Sequence, residues 1–594
     1  MSDKTNYRLA NIQNREIKLR AVRHEILAVE SEKALEMILD APSPATLIQS
    51  FPDQDLYYLM HKIGPDDFIP ILAMAKSDQW EYILDVEAWD NDRLDLESMT
   101  KTFDLLFQAD PQRLLRWVIK EKPDYFEFYL LKNMEIIVRE HDEIPPENFD
   151  DYITMDDKFY FRFPDKPMTG DDNKFLTDDD DKSPKPENKE QAWELIEKML
   201  KTLAGMDLSV FHGLLLETCA LLPIETEEEQ FRLKNLRLAE KGFLPPHEAI
   251  GIYQPTRLSD LRKRPDAGIF KSKPFDPDIP MPPQFFSLFI KGDNLFVKSL
   301  EFFDPEFILD LESELAALIN KVISADKIKL KAKQDLERAI SKVCDYLNLG
   351  LEVILKGEPK PELAKNVIHK YFLEDIFRTG SRAGIKLKTK AANWFQNSFM
   401  NQNKLPLSFL GENFLGCIGG LFLDRPLYYN AYVSGDLYRN FKSISDITKT
   451  NTALEQIMAL DTVLGKLNID LESFKEGVLT YKTLILTLWA KDRLKQAMNL
   501  EPIDMVLFKE FFAALFSKSD SDAIEHIPLN DLIIWTCEAT GMKETDLPEK
   551  FFEVLTALIN ELKDEYGSVD PENIDPRFIP HFLLRKKKNK RKDK

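Results

Sequence analysis

The chain has 594 residues, of which 44% are hydrophobic and 30% charged, with a net charge of −22 and only 21 glycines. That glycine content is about half the usual ~7%. It disfavours turn-rich β architectures and folds built on Gly-rich phosphate loops, and the composition excludes collagen-like and mostly disordered chains.

The N-terminus (Met1-Ser-Asp-Lys-Thr-Asn) has no apolar core of the signal-peptide kind. The longest apolar run, Phe414 to Leu423, has ten residues including three glycines, against the ~20 that a membrane helix needs. Cys219, Cys344, Cys417 and Cys537 are scattered through apolar stretches with no metal-ligand or redox spacing. They read as small buried hydrophobes in a reducing compartment. A cytoplasmic protein with no membrane insertion is expected.

Residues 1–142 read as an N-terminal array of short helices. Pro52-Asp53, Pro65-Asp66 and Ser77-Asp78 open amphipathic stretches 13 and 12 residues apart, and Pro111 and Pro123 repeat the spacing. Proline suits the first helical position, aspartate in the first turn opposes the helix dipole, and Gly64 fits a C-terminal stop. Helices of about ten residues are marginal alone and must stack, which predicts a superhelical array. Asp53, Asp55, Asp66 and Asp67 read as helix-start residues rather than a cation site.

Residues 143–190 form an acidic linker, with a candidate strand at Lys158-Phe-Tyr-Phe-Arg-Phe163 and an Asp run at 178–181. Helical periodicity returns over 191–254, where Thr226-x-x-Glu229 reads as a capping box for a helix running to Lys241, with Gly242 as C-cap. Seven prolines between Pro255 and Pro283 predict a connector or wrapping arm over 255–283. A C-terminal helical domain follows over 284–584, with helices starting at Pro305 and near 332–348, 361–379, 452–467, 479–498 and 548–562. The expected fold is all-α, with at most a short β-hairpin near 155–180: a short-helix superhelical array followed by larger helical domains.

Three blocks carry a family resemblance: Ile38 to Ile48 (ILDAPSPATLI), Glu228 to Phe243 (EEQFRLKNLRLAEKGF) and Arg425-Pro-Leu-Tyr-Tyr-Asn430. In their order the chain resembles a family of large bacterial cytoplasmic proteins known only as a domain of unknown function, which implies no activity. Locally, the Pro-Asp-led helices of 43–120 resemble the superhelical N-domain of magnesium transporters. The membrane part is absent, so only the fold of that segment is implied.

No phosphate-binding loop, dinucleotide fingerprint, paired-histidine zinc motif or nucleophile elbow occurs, so no catalytic, cofactor or metal residues are assigned. Gly416-Cys-Ile-Gly-Gly420 reads as a place where helices approach closely. Arg232, Lys234 and Arg237 follow Glu227, Glu228 and Glu229 on one helix, a pattern that stabilises helices and also suits an anion or partner site. Arg425, Tyr428 and Tyr429 mark a second interaction candidate. Residues 585–594 form a basic tail, in which Arg585, Lys586, Lys587, Lys588, Lys590, Arg591 and Lys592 could bind anions weakly and without sequence preference.

Three functions follow as expectations. One is a non-catalytic helical adaptor for an unknown protein partner. A second is an enzyme or regulator whose site is assembled from distant residues in a helical pocket. The third is tethering to RNA, ribosomes or DNA through the tail.

Overall fold

The computed structural model describes residues 18–90, 92–139, 152–164, 186–265, 283–290, 293–328, 333–356, 359–467, 479–515 and 527–585, with the single positions 15, 16, 469, 471 and 474. The fold is all-α. The described strands are short and form one three-stranded and two two-stranded sheets. The chain divides into two units, one of residues 1–254, 262–344 and 361–374, the other of 255–261, 345–360 and 375–594.

In the first unit, helices Ser31–Leu39, Pro44–Ser50, Asp53–Ile63, Ile69–Met74, Ser77–Glu87, Leu96–Ala109, Pro111–Glu121 and Pro123–Asn133 follow one another and pack on near neighbours in sequence. Their apolar stripes are buried: Leu56, Leu59, Ile71, Trp80, Ile83 and Leu114 are at most 2% exposed. Gly64 ends its helix at φ +112°, and Asp110 caps the Pro111–Glu121 helix by accepting from Arg113 N at 3.0 Å.

Pro65-Asp66 does not open its helix. Residues 65–68 form turns, and the regular helix is only Ile69–Met74. Asp53 and Asp55 are also more than helix-start residues. Asp53 pairs with Lys241, and Asp55, fully buried, accepts from the backbone N–H groups of Gln284 (3.0 Å) and Phe285 (3.1 Å).

The candidate strand is Phe159–Arg162. It lies between Glu135–Val138 and Ile153–Thr154, both antiparallel to it, so a three-stranded sheet stands where at most a hairpin was expected. The partner strand Glu135–Val138 precedes the expected linker, and tertiary pairing rather than local alternation recruits it. The Asp run 178–181 lies outside the described residues.

Two helix boundaries differ from the periodic pattern. The helix read from Thr226 begins at Pro223, so Thr226 sits inside it and donates its hydroxyl back to Leu222 O at 3.0 Å instead of capping. The helix expected over 361–379 breaks into Pro361–Lys370 and Leu373–Gln396. The arm of residues 262–265 meets the break: Arg264 N donates to Lys370 O (2.8 Å), and Arg264 Nε donates to Ile368 O (2.9 Å) and Tyr371 O (3.1 Å). These carbonyls are thereby used outside the helix.

In the second unit, helix Ile444–Leu464 packs on Glu549–Tyr566 and on Gly411–Phe422, and Ile527–Thr540 also packs on Glu549–Tyr566. Leu454, Ile457, Leu460, Leu555 and Leu558 are at most 1% exposed between them. The Gly416–Gly420 stripe receives a β-hairpin rather than another helix. A Cβ at Gly416 would lie 2.3 Å from the Tyr429 ring, and one at Gly420 only 2.6 Å from Leu427 O.

Helix Tyr481–Arg493 buries Trp489 against Phe511. Leu584 forms a parallel bridge with Ile503, and Arg585 N donates to Ile503 O at 2.9 Å. Cys344 and Cys417 are buried, but Cys219 is exposed, because its face of helix Leu208–Ala220 is not covered by packing.

Candidate functional site

Helix Pro223–Glu240 carries the site of the first unit. Its apolar content is modest, and it is held by polar ties on one face. Glu227 accepts from Leu94 N at 2.8 Å, Gln230 Nε2 reaches Asp124 at 3.3 Å, and Arg237 grips Asp85 with Nε and Nη2, each at 2.7 Å. After the helix the chain turns at Gly242, φ +86°, where a Cβ would meet the backbone of Ala317 at 3.3 Å. Asn320 Nδ2 fixes that turn by donating to Lys241 O at 2.8 Å.

These ties bring helices Ser77–Glu87, Pro223–Glu240 and Pro305–Ala325 around a cleft of about 860 Å³. Its apolar lining includes Val86, Trp89, Phe231, Leu238, Ile250 and Ile323. That volume suits a small organic ligand.

Lys234 projects into this cleft and is only 7% exposed. Its Nζ lies 4.5 Å from the Trp89 ring centroid and 4.8 Å from that of Phe231. The short antiparallel pair Trp89–Asp90 and Arg93–Leu94 presents Trp89 to it. Burial pushes the Lys234 ammonium down to about 8, against the pull of Asp85 and Asp92.

Among the described residues no carboxylate forms an ion pair with Lys234, and Asp85, Glu87 and Asp95 are engaged elsewhere. Asp85 is taken by Arg237, which also lies 3.0 Å from Glu81, itself paired with Lys122. Glu87 accepts from the Tyr57 hydroxyl at 2.5 Å and contacts His61 Nε2 at 2.9 Å. Asp95 accepts from Glu97 N and the Ser98 hydroxyl. Asp92 stands exposed at the rim.

A second cluster lies in the other unit, where Glu561, Glu565 and His581 bring ligand-type atoms within 4.8 Å of one another. Lys482 Nζ already donates to both Glu561 oxygens at 2.5 Å, and the Tyr566 hydroxyl meets His581 Nδ1 at 2.7 Å. A metal ion there would have to displace the ammonium, so the cluster reads as a charge network.

The other sequence candidates are placed as follows. Arg232 is exposed and closes on Glu229 through two hydrogen bonds of 2.9 and 2.6 Å within its own helix, whereas Arg237 faces inward to Asp85. Tyr428 lies under the Arg439 guanidinium at 4.3 Å, Tyr429 covers Gly416, and Arg425 is half-buried in the same hairpin region. Arg585 is fixed to Ile503, while Lys586, Lys587, Lys588, Lys590, Arg591 and Lys592 lie outside the described residues. In sequence Lys234 is only one of three basic residues on a helix. Its aromatic neighbour Phe231, three positions earlier, was the local signal, but Trp89 could not be placed there without the fold.

Cleft and architecture together define an all-α protein with a ligand-sized recess of mixed apolar and charged lining around one buried amine. The chain belongs to DUF6178, a family of unknown function, whose family model matches residues 11–585. No curated protein and no solved structure matches it. Among the described residues no single helix is long and apolar enough to cross a membrane, and one sharply bent pair, Leu208–Ala220 with Pro223–Glu240, passes by length and composition only.

Proposed function

We propose that this protein binds a small organic acid, with an apolar body in the first-unit cleft and a carboxylate on Lys234. The observation that carries this is the buried ammonium between Trp89 and Phe231, without an ion-pair partner among the described residues. A buried charge is costly unless paired. A ligand carboxylate supplies the missing charge, and the aromatic faces supply contact area for a ring or chain.

The test is a thermal-shift and calorimetric titration with aromatic and medium-chain carboxylates, beside their matched alcohols. Acids are expected to bind saturably and alcohols at least about tenfold more weakly, with the difference lost in Lys234→Met. Equal binding of acids and alcohols, or no saturable binding, overturns the reading.

A second reading, an adaptor for another protein, is supported by exposed Leu216, Leu222, Ile224 and Leu236, all on helices Leu208–Ala220 and Pro223–Glu240 or the link between them. Under it, Ile224→Glu abolishes recovery of a partner that wild-type protein retains stoichiometrically. Recovery unchanged by that substitution counts against it.

A further inference from the structure

The second unit contains a groove of about 520 Å³ whose charge is opposite to that of the chain. Acids make up 101 of the 594 residues, yet none of the groove's eleven lining residues is acidic and three are basic. The bases are Arg382, Lys386 and Lys390, spaced i, i+4, i+8 on helix Leu373–Gln396. Successive members of such a row lie about 6 Å apart along the axis and share one face.

Their states differ. Arg382 Nη1 donates to a neutral acceptor, Thr256 O, at 3.0 Å, so its charge is not neutralised by that bond. Lys386 is exposed and has no ion-pair partner among the described residues. Lys390 is shared between Asn451 Oδ1 (2.8 Å) and Glu455 (3.1 Å) at the groove's end. Among the described residues, two positive charges without an ion-pair partner therefore sit one helical turn apart. The groove's remaining walls are apolar (Leu258, Val353, Leu387 and Ile447), with the Thr448 hydroxyl and Asn451 amide alongside.

The helix is placed by glycine. A Cβ at Gly380 would fall 2.1 Å from Tyr346 O, and one at Gly350 2.0 Å from Ile376 O. The two backbones therefore touch, and Val353 is brought to the groove beside Ala383 and Leu387.

We propose that this groove binds a phosphate monoester, with the phosphate dianion between Arg382 and Lys386 and its organic body over Leu258, Val353, Leu387 and Ile447. Two adjacent cations match the charge of one dianion, and a guanidinium offers paired donors to phosphate oxygens. The apolar walls make a monoester a better fit than inorganic phosphate. This site is independent of the carboxylate cleft and stands or falls alone.

The test is calorimetry on the full-length protein with phenyl phosphate, inorganic phosphate, phenol and a short single-stranded RNA. Phenyl phosphate is expected to bind saturably, at least about tenfold more tightly than inorganic phosphate or phenol. Lys386→Glu is expected to weaken it by at least about tenfold, while Lys466→Glu, the same charge change at another exposed lysine of this unit, leaves it within about twofold. Lys386 is exposed and makes no side-chain bond among the described residues, so folding should survive, and an unchanged thermal midpoint checks this. The proposal is overturned if phenyl phosphate fails to bind at about 10 mM, if both variants lose binding equally, or if RNA binds at Lys386 while the monoester does not.

Discussion

Arg237 and Asp85 join two helices 152 residues apart in the chain through two parallel hydrogen bonds of 2.7 Å, with the carboxylate almost fully buried. Burial raises the Asp85 carboxyl above the usual range despite the guanidinium. The pair also holds helix Pro223–Glu240, which carries Lys234 into the cleft, against helix Ser77–Glu87. Removing one partner from a buried pair costs several kcal/mol, whereas replacing both by apolar groups can be nearly neutral. Arg237→Ala is therefore expected to lose about 3 kcal/mol of unfolding free energy, and Arg237→Met with Asp85→Leu to recover most of it. Urea unfolding of the two variants checks this. An equal loss in the double variant would mean that packing, not the orphaned carboxylate, sets the cost.

Lys234 should be a stability liability. Its folded value of about 8 lies below the usual lysine value, so the unfolded chain binds the proton more tightly. The cost is full below about pH 8 and disappears as pH rises toward ordinary lysine titration near ~10.4. The ring contacts with Trp89 and Phe231 return part of it. Lys234→Met is expected to raise stability by about 1–2 kcal/mol at pH 7 and by much less near pH 10. Thermal melts at the two pH values give the comparison. A variant less stable than wild type at pH 7 would contradict it.

Asp55 makes the opposite contribution along the pH axis. Burial raises its carboxyl to about 7, opposed by the N–H groups of Gln284 and Phe285 and by the charge of Arg23. Between the unfolded aspartate value of ~3.9 and pH 7 the folded chain holds a proton that the unfolded chain releases. Stability from this group is present at low pH and falls by up to about 4 kcal/mol across that window. Asp55→Asn cannot titrate, so its stability relative to wild type should rise steadily from pH 4.5 to pH 7.5. A difference that stays constant with pH would show that Asp55 does not titrate there.

Gly380 tests the close helix crossing. Its Cβ position is occupied by a backbone carbonyl oxygen, which cannot rotate away as a side chain can. Gly380→Ala is expected to cost about 2 kcal/mol or more through overpacking, although alanine favours helix by up to ~1 kcal/mol. A stabilised variant would mean that the two helices move apart without penalty.

The all-α fold was legible because amphipathic period, proline starts and glycine stops are local signals. Leu56, Leu59 and Trp80 fall on the predicted faces and are buried there. Thr226 misled because its Thr-x-x-Glu pattern fits a cap equally well one turn inside a helix that Pro223 had already begun. The break at Tyr371 was invisible, since Arg264, whose guanidinium takes up its carbonyls, lies more than 100 residues upstream. The basic row Arg382, Lys386 and Lys390 stands at i, i+4, i+8 in the sequence, but only the fold places it along a groove.

By itself the sequence determined which segments are helical and how short the N-terminal helices are, because backbone preference and side-chain period act within a few residues. Tertiary structure alone decided which charges are matched. Asp85 and Lys234 each carry a charge that local chemistry leaves ordinary, and only the packing of distant helices takes both out of water, giving one an arginine and leaving the other facing a cleft. Charge compensation is a property of three-dimensional neighbours and solvent exclusion, and neither is written in residue order.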